Sequence, residues 1–217
     1  MKTKGKFLMG GCFALLAVLL IVLIRFADVA AIGPEGTSIG LSAANQAVHQ
    51  LTGVNMIWYD ITDWLGFAAL LTAFIFAVVG FVQMIKRRSL LKVDGDILAL
   101  GGLYVVVIVL YLFFEKVIVN YRPILMPGCE YPEASFPSSH TMLVCVIMGS
   151  AIMLLPRYIR DHTLCRVLRA VCWAVIAVTV IGRLIAGVHW LTDILGGLLI
   201  SAALLSLYAG VREKLNA

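Results

Sequence analysis

Charge is what this sequence has least of. Of its 217 residues only 13% are Asp, Glu, Lys or Arg, 62% are hydrophobic, and the mean hydropathy is +1.01. So little charge cannot cover a water-facing surface, which excludes an ordinary soluble domain. Metal-type cysteine spacing is also missing. The five cysteines form no CxxC pair, and Cys12, Cys145 and Cys172 lie in apolar runs. Cys165 falls in a predicted cytoplasmic loop and Cys129 alone in an outer one, which argues against a disulfide framework. No linker, repeat or low-complexity stretch divides the chain, so residues 1–217 read as one membrane-embedded domain. A basic-aromatic pattern suited to nucleic acid is absent.

What is there is a series of apolar runs, each long enough to cross a hydrocarbon core of roughly 30 Å. They are marked near 7–26, 64–85, 97–114, 139–155, 168–187 and 190–211. The predicted fold class is therefore all-α, a polytopic membrane protein of six transmembrane helices. The first run follows a basic start and precedes Ala27-Asp28-Val29-Ala30-Ala31, so a cleaved signal peptide competes with a retained anchor; its length favours the anchor. An even count puts both termini on one side. Thirteen of the 17 cations fall in four segments on that side: Lys2, Lys4 and Lys6; Lys86, Arg87, Arg88 and Lys92; Arg157, Arg160, Arg166 and Arg169; Arg212 and Lys214. Cytoplasmic retention of Lys and Arg makes that side cytoplasmic, N and C termini included. The net charge of +5 is then mostly orientation signal and attraction to anionic membrane lipids. Arg25, Lys116, Arg122 and Arg183 oppose the topology signal and need another reason.

Two outer segments are long. In the first, about 27–59, Ala44, Val48 and Leu51 at helical spacing predict a short amphipathic helix on the outer surface. Trp58, Trp64 and Trp190 near predicted helix ends suit an aromatic belt. The second, Glu115 to Pro137, holds four of the six prolines and is predicted as an ordered, nonhelical loop.

The outer face thus collects Lys116, Arg122, Arg183, His140, His189 and Asp193. Interfacial snorkelling or satisfied helix-end histidines could explain each singly. Six together point to function, because charge inside a span costs several kcal/mol. His189 and Asp193, four apart at the start of the sixth run, are predicted to share a helix face, the carboxylate orienting the imidazole as nucleophile or base. His140 follows Pro137-Ser138-Ser139 at a helix start, where serine caps and free N–H groups favour an anion. Asp60 and Asp63 are read as helix-opening residues that suit the N-terminal dipole. Glu115, Glu130 and Glu133 read as loop charges and His49 as interfacial. Two histidines in distinct roles beside three cations describe phosphoryl transfer, which is largely positioning and charge stabilisation.

These residues resemble the three signatures of the type 2 phosphatidic acid phosphatase superfamily of membrane lipid phosphatases. The family's Lys, six residues, Arg-Pro appears as Lys116, five residues, Arg122-Pro123, one short. Its Pro-Ser-Gly-His appears as Pro137-Ser138-Ser139-His140. Its Ser-Arg, five residues, His, three residues, Asp is met by Arg183, His189 and Asp193, with Gly182 in place of the serine. The motifs span 116–193. The resemblance implies a metal-free phosphohistidine mechanism without cofactor: His189 attacks phosphorus, Asp193 orients it, and His140 protonates the leaving oxygen. Lys116, Arg122, Ser138, Ser139 and Arg183 would bind the phosphate. The short first spacing turns Lys116 by about 100° on a helix, so the loop must bend to bring it in.

The implied partner is a lipid phosphate at the extracytoplasmic face of a bacterial plasma membrane. Undecaprenyl diphosphate comes first, phosphatidic acid or phosphatidylglycerol phosphate second. A lipid phosphotransferase shares these motifs. An anion or lipid transporter fits less well, since no inverted repeat is visible, and an inactive scaffold has no use for an oriented histidine.

Overall fold

The computed structural model describes residues 3–215, so Lys2 of the cation count lies outside it. Among the described residues seven α-helices form: α1 (Thr3–Phe26), α2 (Ser42–Thr52), α3 (Met56–Arg87), α4 (Gly95–Lys116), α5 (Ser139–Tyr158), α6 (His162–Ala186) and α7 (Leu191–Leu215). All but α2 are long and apolar enough to cross a membrane, which makes this an all-α, polytopic integral membrane protein. The largest departure from the sequence expectation is α3, which begins at Met56 instead of near residue 64. Asn55 caps it there, its Oδ1 accepting from the backbone N–H of Ile57 at 3.1 Å and Trp58 at 3.3 Å. A hydropathy window misses this first stretch because it carries Tyr59, Asp60 and Asp63.

α5 is the most buried span and packs against α3, α4, α6 and α7, while α1 lies against α7. The other helices turn Leu15, Phe67, Val105 and Trp173 outward, each well exposed, a face suited to hydrocarbon. α2 is the short helix predicted between the first two spans, but its inward face is polar. Asn45 is buried, whereas Ala44 and Leu51 point away from the protein. Asn45 accepts from Thr192 N at 3.1 Å and His49 Nε2 lies 3.1 Å from Gly187 O, so α2 props the connection between α6 and α7.

At the end of the bundle away from that connection, Asp96 is 1% exposed and ties α4 to α5 and α7. It accepts from Arg157 Nη1 at 2.6 Å and Arg212 Nη2 at 3.4 Å. Breaking a buried pair from one side is costly, less so here because Arg157 is partly exposed. Asp96→Ala is expected to destabilise the fold by about 2 kcal/mol, read as a lower thermal unfolding midpoint in detergent.

Candidate active site

The site is built on the turn between α6 and α7. Gly187 ends α6 in the left-handed region, φ 67°, where a side chain would be strained and would also strike the Gly53 backbone. Val188, His189 and Trp190 follow outside any helix, and α7 begins at Leu191. His189 is thus not stacked on a helix face with Asp193, as the four-residue spacing suggested. The turn presents it, and Asp193, in the first turn of α7, reaches back to accept Trp190 N at 2.8 Å.

His189 Nδ1 and Asp193 Oδ2 are 3.6 Å apart, too far for a hydrogen bond. Ser135 bridges them. Its Oγ lies 2.5 Å from Asp193 Oδ2 and 3.1 Å from His189 Nδ1. A hydroxyl has one proton, and the carboxylate can only accept it, so Ser135 Oγ accepts in turn from Nδ1–H. That assigns the imidazole its tautomer and leaves the lone pair on Nε2. Nε2 is buried and has no hydrogen-bond partner. Asp193, wholly buried, is further held by Asn120 Nδ2 at 2.8 Å on its other oxygen.

Ser135 and Asn120 come from the loop between α4 and α5, which is ordered and nonhelical as its prolines predict. Its limbs are clamped by Arg122 N to Glu133 O at 3.0 Å and Ser135 N to Asn120 O at 3.1 Å. Trp190 Nε1 donates to Tyr121 O at 2.8 Å, and Arg122 Nη1 to Val188 O at 3.3 Å. Trp190 is therefore a buried latch rather than part of an aromatic belt, while Trp64 is 73% exposed.

The remaining predicted residues divide. Arg122 lines the cavity at His189 and pairs with Glu133 at 3.1 Å. Arg183 is buried, its guanidinium 4.7 Å over the Tyr59 ring and paired with Asp63. His140 Nε2 also lies 3.1 Å from Asp63 Oδ1. This overturns the dipole reading of Asp63, which sits in the second turn of α3 and bridges two site residues. Ser138 caps α5, accepting from Thr141, gives its N–H to Asp193 O at 3.0 Å, and is fully buried. It shapes the helix start and has no backbone donor left for an anion. Ser139 lines both cavities. Lys116 is exposed at the end of α4 and lines neither, so the loop does not bend it in; Glu115, one residue earlier, faces the cavity at His189. Arg25 is accounted for elsewhere, donating to Ile118 O at 2.6 Å.

A small polar cavity at His189 adjoins an apolar one of about 310 Å³ between α3, α4 and α5; Ser139 and Met142 line both. The larger is walled by Phe67, Leu70, Val107, Ile108 and Leu143, with Asp63 and His140 at one side. Among the described residues no group of three or more His, Cys, Asp or Glu side chains is placed to hold a metal ion. Sequence reasoning missed Ser135, Asn120 and the role of Asp63. No local pattern marks the first two, whereas Asp63 is a carboxylate within an apolar helix, a signal of the kind that flagged the cations.

The family model of the PAP2 superfamily matches residues 97–217. The fold is similar to the crystal structure described as the first transmembrane PAP2 type phosphatidylglycerolphosphate phosphatase from Bacillus subtilis. The TM-score is 0.68 at 18% identity, covering 95% of this chain and 96% of that one. No curated protein sequence matches the chain.

Burial holds the His189 pKa below the usual 6.5, and the positive charges of Arg122 and Arg183 act in the same direction against Asp193. The folded state then binds fewer protons than the unfolded one, so this group's stability contribution is present above 6.5 and lost as pH falls below it. The unfolding midpoint of wild type is expected to drop from pH 7 to 5, and His189→Gln to flatten part of that slope.

Proposed function

Since the chain belongs to the PAP2 superfamily, we propose that it is a phosphatase for lipid phosphates, working through a phosphohistidine at the extracytoplasmic face. The observation that carries this reading is the Nε2 of His189: buried, unpartnered, with its lone pair assigned by the Ser135 relay, on a residue that lines a polar cavity adjoining an apolar one.

Nε2 attacks phosphorus, an N–P bond forms, and the bond from phosphorus to the leaving oxygen breaks. His140 gives that oxygen its proton, and the lipid departs as an alcohol, or as a monophosphate when the substrate is a diphosphate. Water then attacks phosphorus, His140 takes its proton, the N–P bond breaks, and inorganic phosphate leaves. Arg122 and Arg183 balance the charge on the nonbridging oxygens, with Ser139 at the free end of α5 adding donors. Asp193 steadies the imidazolium character that develops on His189. The protein needs no metal for any of these steps.

The apolar cavity beside His140 is suited to the first carbons of an acyl or prenyl chain. Most cations, from Lys86 to Lys92, Arg157 to Arg169 and Arg212 to Lys214, lie toward the bundle end away from His189, which supports a cytoplasmic location for both termini and an extracytoplasmic site. Undecaprenyl diphosphate is the first candidate substrate, ahead of phosphatidic acid and phosphatidylglycerol phosphate.

The test is phosphate release by purified protein in EDTA from these three lipids and a soluble ester. Wild type is expected to release phosphate from at least one lipid and His189→Ala from none; equal rates for the two, or complete loss in EDTA, would refute the mechanism. Ser135→Ala is expected to lower kcat by about 10–100-fold with little change in KM, because it removes the link that orients the nucleophile.

A further inference from the structure

Resting on that reading, we infer that Asp63 is a positioning residue: one carboxylate oxygen ties the leaving-group histidine, His140, and the phosphate-side arginine, Arg183, to a common point. Oδ1 of Asp63 accepts from Arg183 Nη2 and lies 3.1 Å from His140 Nε2. Arg183 is 1% exposed, so its charge requires a counter-ion, and the half-buried Asp63 is the carboxylate paired with it.

The helix that carries Asp63 lies outside residues 97–217, and its approach depends on two glycines. At Gly182 a Cβ would stand 2.6 Å from Thr62 Cγ2 and 2.9 Å from Trp58 Cε3. The residue that departs from the family's serine is thus the one that lets α3 close on α6. At Gly66 a Cβ would meet His140 Cδ2 at 3.1 Å, so α3 also makes room for the ring. Tyr59, Asp63 and Gly66, at i, i+4 and i+7, form one stripe of α3. Tyr59 lies under Arg183, Asp63 between Arg183 and His140, and Gly66 against His140.

Asp63 is about one-third exposed and lines the apolar cavity, so it stands on the leaving-group side. It acts through His140, and its loss should be felt most where the leaving oxygen needs a proton. The experiment compares an alkyl phosphate, whose alkoxide cannot leave unprotonated, with p-nitrophenyl phosphate, whose phenolate can. Full-length wild type, Asp63→Asn, Asp63→Glu and His189→Ala are assayed in one detergent. The kcat ratio of alkyl to aryl ester is expected to fall by about 10-fold or more in Asp63→Asn, and in the same direction in Asp63→Glu, which keeps the charge but displaces it. Should Asp63→Asn not fold, Asp63→Glu decides. An unchanged ratio overturns the inference, as does a lower KM with unchanged kcat, the mark of a carboxylate that merely occupies the substrate's place. If instead wild type releases no phosphate, or His189→Ala matches it, the phosphohistidine reading itself fails, whatever Asp63 does.

Discussion

The arrangement of the site depends on one buried carboxylate. Asp193 receives Asn120 on one oxygen and Ser135 and the Trp190 amide on the other, while its backbone carbonyl accepts Ser138 N. Four segments converge there: the two limbs of the loop between α4 and α5, the turn before α7, and the start of α5. A carboxylate with no exposed surface is tolerable only when its acceptor sites are filled. The same donors that satisfy it therefore fix the loop, and through Ser135 the loop fixes His189. Structure and candidate chemistry share one network.

The polar site is confined to one end of a bundle whose walls face outward with large apolar side chains. Irregular backbone at that depth must be covered by protein, and the cover comes from several directions. α2 supplies Asn45 and His49 to the turn, and Asn55 N bonds Ala186 O at 3.1 Å. Phe136 packs against Gly196 and the Phe114 ring, centroids 5.6 Å apart. At the other end Asp96 with Arg157 and Arg212, and Asp94 with Arg87 at 2.8 Å, hold the spans together by charge where side chains reach the bundle's edge.

The six spans, the nonhelical loop and the motif residues were legible because each rests on a local property: run length, proline chemistry, or residue type at fixed spacing. His140, His189, Asp193, Arg122 and Arg183 do meet at one end of the bundle. The failures were of another kind. Lys116 and Glu115 are neighbours, and only the end of α4 selects which faces the cavity. Trp190 looked like a belt residue because sequence cannot distinguish an interface from a buried turn. Asp63 looked like a helix opener because the start of α3 was placed too late.

Residue order alone determined which segments can leave water and which side chains are able to carry phosphoryl chemistry, since hydrophobicity and functional groups belong to residues individually. It could not decide which nitrogen of His189 keeps its lone pair, that a serine stands between His189 and Asp193, or that a helix distant in sequence brings a carboxylate between His140 and Arg183. Those are distances across the fold, set by side-chain volume at Gly182, Gly66 and Gly187 and by the need to satisfy a buried charge, and they exist only once the helices have packed.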